Sequence, residues 1–302
     1  FINLLSETGL SVIETGSFVS ASAVPQMSDS SEIFKRIKKN KKTTYSALTP
    51  NLKGFSAAQK AKADEIAVFI SASETFSKKN INCSISSSLN IVREICKKAE
   101  LVPLKVRGYI SCVFGCPYEK NVSFDIVQSL ALKLLNLGCY EIAFGDTIGI
   151  ATPKQTDELI LTIKNVIPID RIAMHFHDTY GQALANILTS LTHGVSSFDS
   201  SISGLGGCPF AIGSSGNVAT EDLLFMLHGM SIETGIELQK IIDTIPKFNL
   251  VGGENLIHPD FPRLFQMFID SPNVGNIDML IITNGTIVPD IVQDNAHLFK
   301  SI

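Results

Sequence analysis

Apolar positions along this chain follow two alternating periods. Runs such as Glu65–Ser71 (EIAVFIS), Glu141–Asp146 (EIAFGD) and Arg171–His177 (RIAMHFH) are nearly continuous in apolar character, as strands covered on both faces are. Ser11–Ser17, Thr44–Thr49, Lys105–Cys112 and Ser197–Ile202 read as further strands. Between them the period lengthens to that of a helix. Phe124–Leu137 and Ala183–His193 are two such stretches, followed by Gly138 and Gly194, the residue type that most readily ends a helix in the left-handed conformation. Seven strand–helix repeats within about two hundred residues predict an α/β fold, a (β/α)8 TIM barrel, rather than an open sheet. Phe1–Thr8 reads as the helix that follows an earlier strand. The expectation is therefore a barrel lacking its first strand, with any chemistry on that strand outside the sequence. Near Pro246 the pattern changes to strand–helix–strand: Phe248–Glu254, Pro262–Ile269 and Ile277–Gly285. A closed barrel has no use for these strands, so the expected division is 1–245 for the barrel and 246–302 for an unrelated βαβ-like tail.

Bulk properties narrow the function. With 302 residues, 45% of them hydrophobic, the chain can bury a large core. A net charge of −4 gives no reason to expect nucleic acid or an anionic membrane as partner. No apolar run reaches the roughly 18 residues that span a bilayer. Cysteines at 83, 96, 112, 116, 139 and 208 lack the dense spacing of a disulfide scaffold, which favours reduced thiols. The spacing of Cys112 and Cys116 does not complete a zinc or cluster motif, and a thiol pair at a strand end is the preferred reading. The basic run Lys35–Lys42 is read as a solvated helix end rather than a phosphate site.

The candidate chemistry gathers at strand ends. On a strand ending at His177, alternate side chains share a face, so His175 and His177 point together and can hold one metal ion. The glycine-rich loop Gly204–Asn217 carries a thiol, Cys208, and an amide, Asn217. Glu14 lies near the end of the first visible strand and Asp146 at the end of the fifth. In a barrel all these converge at one mouth. Blander readings stand beside this one: two satisfied core histidines, an inert Cys208, Asn217 in a turn, and Asp146 and Asp178 as caps.

Several long strings resemble the 3-hydroxy-3-methylglutaryl-CoA lyase family. They are Ile202–Phe210 with Ala211–Asp222, Leu10–Thr15, Leu48–Gly54, Lys79–Ser84, Val106–Cys112 and Gly145–Gly149. The resemblance covers about residues 1 to 245. It implies cleavage of 3-hydroxy-3-methylglutaryl-CoA to acetoacetate and acetyl-CoA, a step of leucine breakdown and ketone-body formation. It also implies a divalent metal, Mg²⁺ or Mn²⁺, held by His175, His177 and Asn217. Cys208 would be the acid that protonates the departing carbanion. Glu14 and Asp146 would shape the catalytic site, and Arg107 would orient substrate carboxylates. A homodimer is the family expectation. So is a mitochondrial matrix location, with the cytoplasm as alternative; the final Lys300-Ser-Ile302 is no clear peroxisomal address.

The family carries an Arg-Asp pair on its first strand, which this sequence does not contain. The corresponding expectation is weak or no activity for the literal 302-residue chain. In the tail, Gly252–Asp260 and Ile281–Thr286 resemble a fragment of a radical S-adenosylmethionine enzyme, without the three-cysteine motif of that chemistry. A fused gene model explains this better than a bifunctional enzyme. Two other functions fit parts of the pattern. A condensing enzyme of the isopropylmalate or homocitrate synthase type shares the His-x-His, and a non-catalytic acyl-CoA-binding barrel needs no Arg-Asp pair. The loop around Cys208 favours the lyase.

Overall fold

The computed structural model describes residues 1–22, 24–206 and 216–244, with the backbone of 247–251 and 278–282. Seven strands form one parallel sheet in chain order: β1 (Val12–Ser17), β2 (Thr44–Leu48), β3 (Glu65–Ser71), β4 (Lys105–Ser111), β5 (Ile142–Asp146), β6 (Ile172–Phe176) and β7 (Ser197–Asp199). All seven predicted strands are present, each within a few residues of its expected bounds. The largest difference is in β7, where the chain turns into a short 3-10 helix at Ile202–Gly204 instead of extending to Ile202.

The sheet is curled into the wall of a (β/α)8 barrel. Neighbouring strands are spaced by about 4.8 Å, so strands three apart in a flat sheet would lie about 14 Å from each other. Yet Tyr109 of β4 reaches Glu14 of β1 at 3.5 Å, and Arg107 of β4 reaches Asp199 of β7 at 2.8 Å. Only a concave sheet brings these side chains together. The central strand β5 is covered on both faces, with every residue buried.

Helices supply the outer cover. Phe124–Asn136 turns Val127, Leu130, Ala131 and Leu134 inward, at the spacing of one helical face. Pro153–Ile163 starts at Thr152 with a reciprocal cap from Gln155, and Pro153 fits the first turn because its missing N–H has no helical partner there. The helix Ala183–Thr192 ends before Gly194, which takes a φ of +90°. Asp178 accepts the backbone N–H of Ala183 at 2.9 Å, so it serves the start of this helix as its bland reading held.

One buried hydroxyl ties the start of the chain to the sheet. Tyr45 of β2 is fully buried; its hydroxyl donates to Ser6 Oγ at 2.7 Å and accepts the Asn40 N–H at 2.8 Å. A phenylalanine there keeps the ring and orphans that buried N–H. Tyr45→Phe is expected to lower stability by about 1–2 kcal/mol, read from a urea titration with unchanged slope.

The basic run behaves as a solvated helix end. Lys35 and Arg36 lie in the last turn of the helix Ser30–Arg36 and pair with Glu32, while Lys39 bonds Asp64 and the Lys62 carbonyl. Cys112 and Cys116 pack with Phe76 and Val122 in a small buried cluster. Among the described residues no helix is long and apolar enough to cross a membrane.

The chain divides into two compact units, Phe1–Ile241 and Ile242–Ile302. In the second, β8 (Lys247–Val251) and β9 (Asp278–Ile282) pair in parallel, Lys247 opposite Asp278. Two parallel strands require a crossover connection. The predicted helix Pro262–Ile269 lies outside the described residues.

Candidate active site and metal centre

The end of β6 places the two histidines. Met174 and Phe176 are buried against the helices, and Phe176 packs on Phe114 at 5.9 Å between ring centroids. Strand alternation therefore turns His175 and His177 to the concave face. Their ring centroids are 5.4 Å apart. An ion about 2 Å from one nitrogen of each ring fits between them.

Asn217 arrives from the far side of the glycine-rich loop. The segment 216–220 threads between the ends of β6 and β7: Asp178 N–H donates to Gly216 O, Val218 N–H to Phe176 O, Ser201 N–H to Val218 O and Thr220 N–H to Ser201 O. This pairs Asn217 with His177 as an isolated antiparallel bridge. The Asn217 amide nitrogen donates to Leu205 O at 2.9 Å. Its oxygen is shielded from solvent and accepts no hydrogen bond among the described residues. A buried acceptor without a donor costs about 1–3 kcal/mol. A cation beside the imidazoles would offset that cost, so the residues present fit a divalent ion. Among the described residues no group of three or more His, Cys, Asp or Glu side chains could hold a metal; the candidate donors are two imidazoles and one amide oxygen.

Glycine is required where the two arms of the loop cross. A β-carbon on Gly216 would lie 1.8 Å from the carbonyl oxygen of Gly204, and backbone there cannot yield without moving Asn217. Gly216→Ala is expected to weaken Mn²⁺ binding by about ten- to a hundredfold, the range seen when a ligand loses its support. Titration of free Mn²⁺ by electron paramagnetic resonance measures it.

Beneath the histidines lies a polar network that the sequence reading only partly anticipated. Arg107 donates from Nε to Glu141 at 2.6 Å, and from Nη1 to the Tyr109 hydroxyl at 2.6 Å and to both oxygens of Asp199 at 2.8 and 3.1 Å. Asp199 Oδ2 lies 3.1 Å from His175 Nδ1. The Tyr109 ring meets His175 edge-on at 5.9 Å and lies under the Arg107 guanidinium at 4.9 Å. Arg107 was expected to orient substrate carboxylates; in the structure its Nε and Nη1 donate to Glu141, Tyr109 and Asp199 of its own chain.

The charges follow from that packing. Burial alone would raise Asp199, but the Arg107 guanidinium and His175 hold its carboxyl down at about 2. Burial, reinforced by the charges of Asp199 and Glu14, pushes the Tyr109 phenol well above its ordinary range. Glu14 opens to solvent on the concave face, yet protein surrounds its carboxyl. That burial and the charge of Asp199 push it up to about 7, against the pull of Arg107 and His175.

Asp146, expected to shape the catalytic site, holds the turn that follows its strand. Its two carboxylate oxygens accept the backbone N–H groups of Ile150 and Ala151 at 3.1 and 3.0 Å, so it shapes the turn after β5. Burial raises it to about 6, although those amides favour the charged form. This is the capping alternative of the sequence reading, applied to a turn rather than a helix start. Cys208 lies outside the described residues.

Asp199, Tyr109 and Glu141 were not identified from the sequence. The signal for Tyr109 was its spacing of two from Arg107 on one strand. For Asp199 it was register: Gly145, His175 and Asp199 stand level on β5, β6 and β7.

The chain matches the family model described as HMGL-like over residues 1–246. It is similar to the mitochondrial hydroxymethylglutaryl-CoA lyase of Gallus gallus, at 54% identity over 243 residues, 80% of this chain and 82% of that protein. The cytoplasmic 3-hydroxy-3-methylglutaryl-CoA lyase of Danio rerio is 53% identical over 242 residues, 80% of this chain and 72% of that one. Among solved structures, hydroxymethylglutaryl-CoA lyase from Pseudomonas aeruginosa superposes with a TM-score of 0.78 at 50% identity, covering 80% of this chain and 81% of that chain.

Proposed function

The chain belongs to the HMGL-like family, and from that membership we infer that it is a carbon–carbon lyase that cleaves 3-hydroxy-3-methylglutaryl-CoA to acetoacetate and acetyl-CoA. The observation that carries this reading is the juxtaposition of His175 and His177, rings 5.4 Å apart, with an Asn217 oxygen that no donor among the described residues occupies. His175, His177 and Asn217 would hold a divalent ion, Mg²⁺ or Mn²⁺. When bound, that ion lowers the pKa of the substrate's tertiary hydroxyl by Lewis-acid polarisation.

The protein's own groups do the rest. Cys208 supplies a proton to the carbanion of the departing acetyl-CoA. Glu14, at about 7, is able to exchange a proton near neutral pH, and Asp146 fixes the turn beside the site. Arg107 acts through Asp199 and Tyr109, which it holds in place.

The same reading gives an acyl-CoA substrate, a homodimer, and a role in leucine breakdown and ketone-body formation. The mitochondrial matrix is the favoured compartment, because relatives of this similarity are named as mitochondrial; others are named as cytoplasmic. Residues 246–302 are read as unrelated to the lyase barrel, similar in sequence to a radical S-adenosylmethionine enzyme fragment but without its cysteine motif.

The test is a product assay on the natural gene product. With Mn²⁺ and 3-hydroxy-3-methylglutaryl-CoA, acetoacetate and acetyl-CoA form in equal amounts, and a chelator stops both. A requirement for a 2-oxo acid would place the protein with the condensing enzymes. Acyl-CoA binding with no turnover would leave a binding barrel.

A further inference from the structure

We propose that Asp199 is the positioning residue of the metal centre: its carboxylate, anchored by Arg107, keeps the proton of His175 on Nδ1 and turns Nε2 toward the ion. The proposal rests on the metal-assisted reading above and deepens it.

Geometry and proton inventory carry it. Asp199 Oδ1 and Oδ2 lie 2.8 and 3.1 Å from Arg107 Nη1, and Oδ2 also lies 3.1 Å from His175 Nδ1. A guanidinium only donates and an ionised carboxylate only accepts. The one arrangement that satisfies all three groups has Nδ1–H donating to Asp199. A neutral imidazole then carries its lone pair on Nε2, the nitrogen free to ligate.

Among the described residues, the strand neighbours of His175 offer one carboxylate for this work. Its register partner on β5 is Gly145, which has no side chain, whereas its partner on β7 is Asp199 itself. The Tyr109 ring, edge-on at 84°, and the His177 ring lie against two further sides. Asp199 cannot drift either, because Glu141 grips the other end of Arg107 at 2.6 Å.

Asp199→Asn exposes the role without removing the side chain. Arg107 still claims the oxygen of the new amide, so its NH₂ faces the imidazole. That forces Nδ1 to accept and moves the proton to Nε2, as the equivalent change in a serine-protease triad does. Two measurements on the full chain decide it. The first is the tautomer of His175 in the metal-free protein, from long-range ¹⁵N–¹H spectra of ¹⁵N-histidine-labelled samples, which distinguish the neutral tautomers from each other and from the imidazolium. The second is Mn²⁺ affinity by electron paramagnetic resonance.

The expected result is an Nδ1–H imidazole in the parent, an Nε2–H imidazole in Asp199→Asn, and about ten- to a hundredfold weaker Mn²⁺ binding in the variant. Asp157→Asn, which disturbs the His193–Asp157 pair in the outer helical layer, leaves both readings unchanged. An Nε2–H tautomer in the parent overturns the proposal, even if the variant fails to fold. So does equal Mn²⁺ affinity in parent and variant. A parent with the Nδ1–H tautomer that binds no Mn²⁺ would instead sink the metal-assisted reading, while leaving the orientation of His175 by Asp199 established.

Discussion

Replacing His177 with alanine is expected to lower lyase turnover about a thousandfold or more while leaving the fold intact. His177 is one of two nitrogen donors in the proposed set, and Asn217 is registered directly against it. Without that imidazole the ion loses a ligand, and the substrate alcohol loses the polarisation that makes it acidic. A thousandfold corresponds to about 4 kcal/mol of barrier, within the reach of Lewis-acid catalysis. His193→Ala serves as the control. That ring pairs with Asp157 on the outer helices, so acetoacetate production should be unchanged. Normal turnover in His177→Ala would remove the metal site from the mechanism.

Arg107→Met should produce the largest loss of stability. Arg107 is 8% exposed and bridges Glu141 and Asp199, themselves largely enclosed. Methionine fills much of the space but leaves two buried carboxylates without their cation. Breaking a buried pair in this way costs about 3–5 kcal/mol. For a unit of this size that is a fall of about 10 °C in melting temperature. The same change at Arg36, whose pair with Glu32 is on the surface, should leave the melting temperature where it is.

The pH dependence of this loss has a definite sign. In the parent, Asp199 titrates at about 2, below the ordinary value of about 3.9 for an unfolded aspartate. Its stabilising contribution is therefore complete above about pH 4 and disappears as pH falls through about 2. Without Arg107, burial dominates and raises the carboxyl instead, so protonation relieves the variant. The gap between parent and variant is widest at neutral pH and narrows on acidification below about pH 5. A gap that widened toward acid would contradict the assigned pairing.

Local pattern specified the strands, the helices and the outward or inward sense of each side chain. Continuous apolar runs marked the buried parallel strands, and Gly138 and Gly194 marked helix ends. Spacing by two was sufficient to put His175 and His177 on one face, since the pleat of a strand depends on nothing beyond the strand. Even Asp178 followed from local rules, because a cap acts within a few residues.

What the sequence could not supply is which in-facing groups meet across the barrel. Arg107 sits 92 positions before Asp199, and Glu14 sits 95 before Tyr109. Those contacts exist because the sheet curls, and curvature is a sum over all its strands that no single segment encodes. For the same reason the partners that Arg107 and Asp146 hold within the chain were not legible in the sequence. Each is a polar residue on a strand, and only the tertiary structure shows which groups it bonds. The chain by itself thus determined the barrel, the paired imidazoles and the class of chemistry. Tertiary structure alone decided the Glu141–Arg107–Asp199–His175 relay, because hydrogen bonds between distant strands are fixed by register and curl.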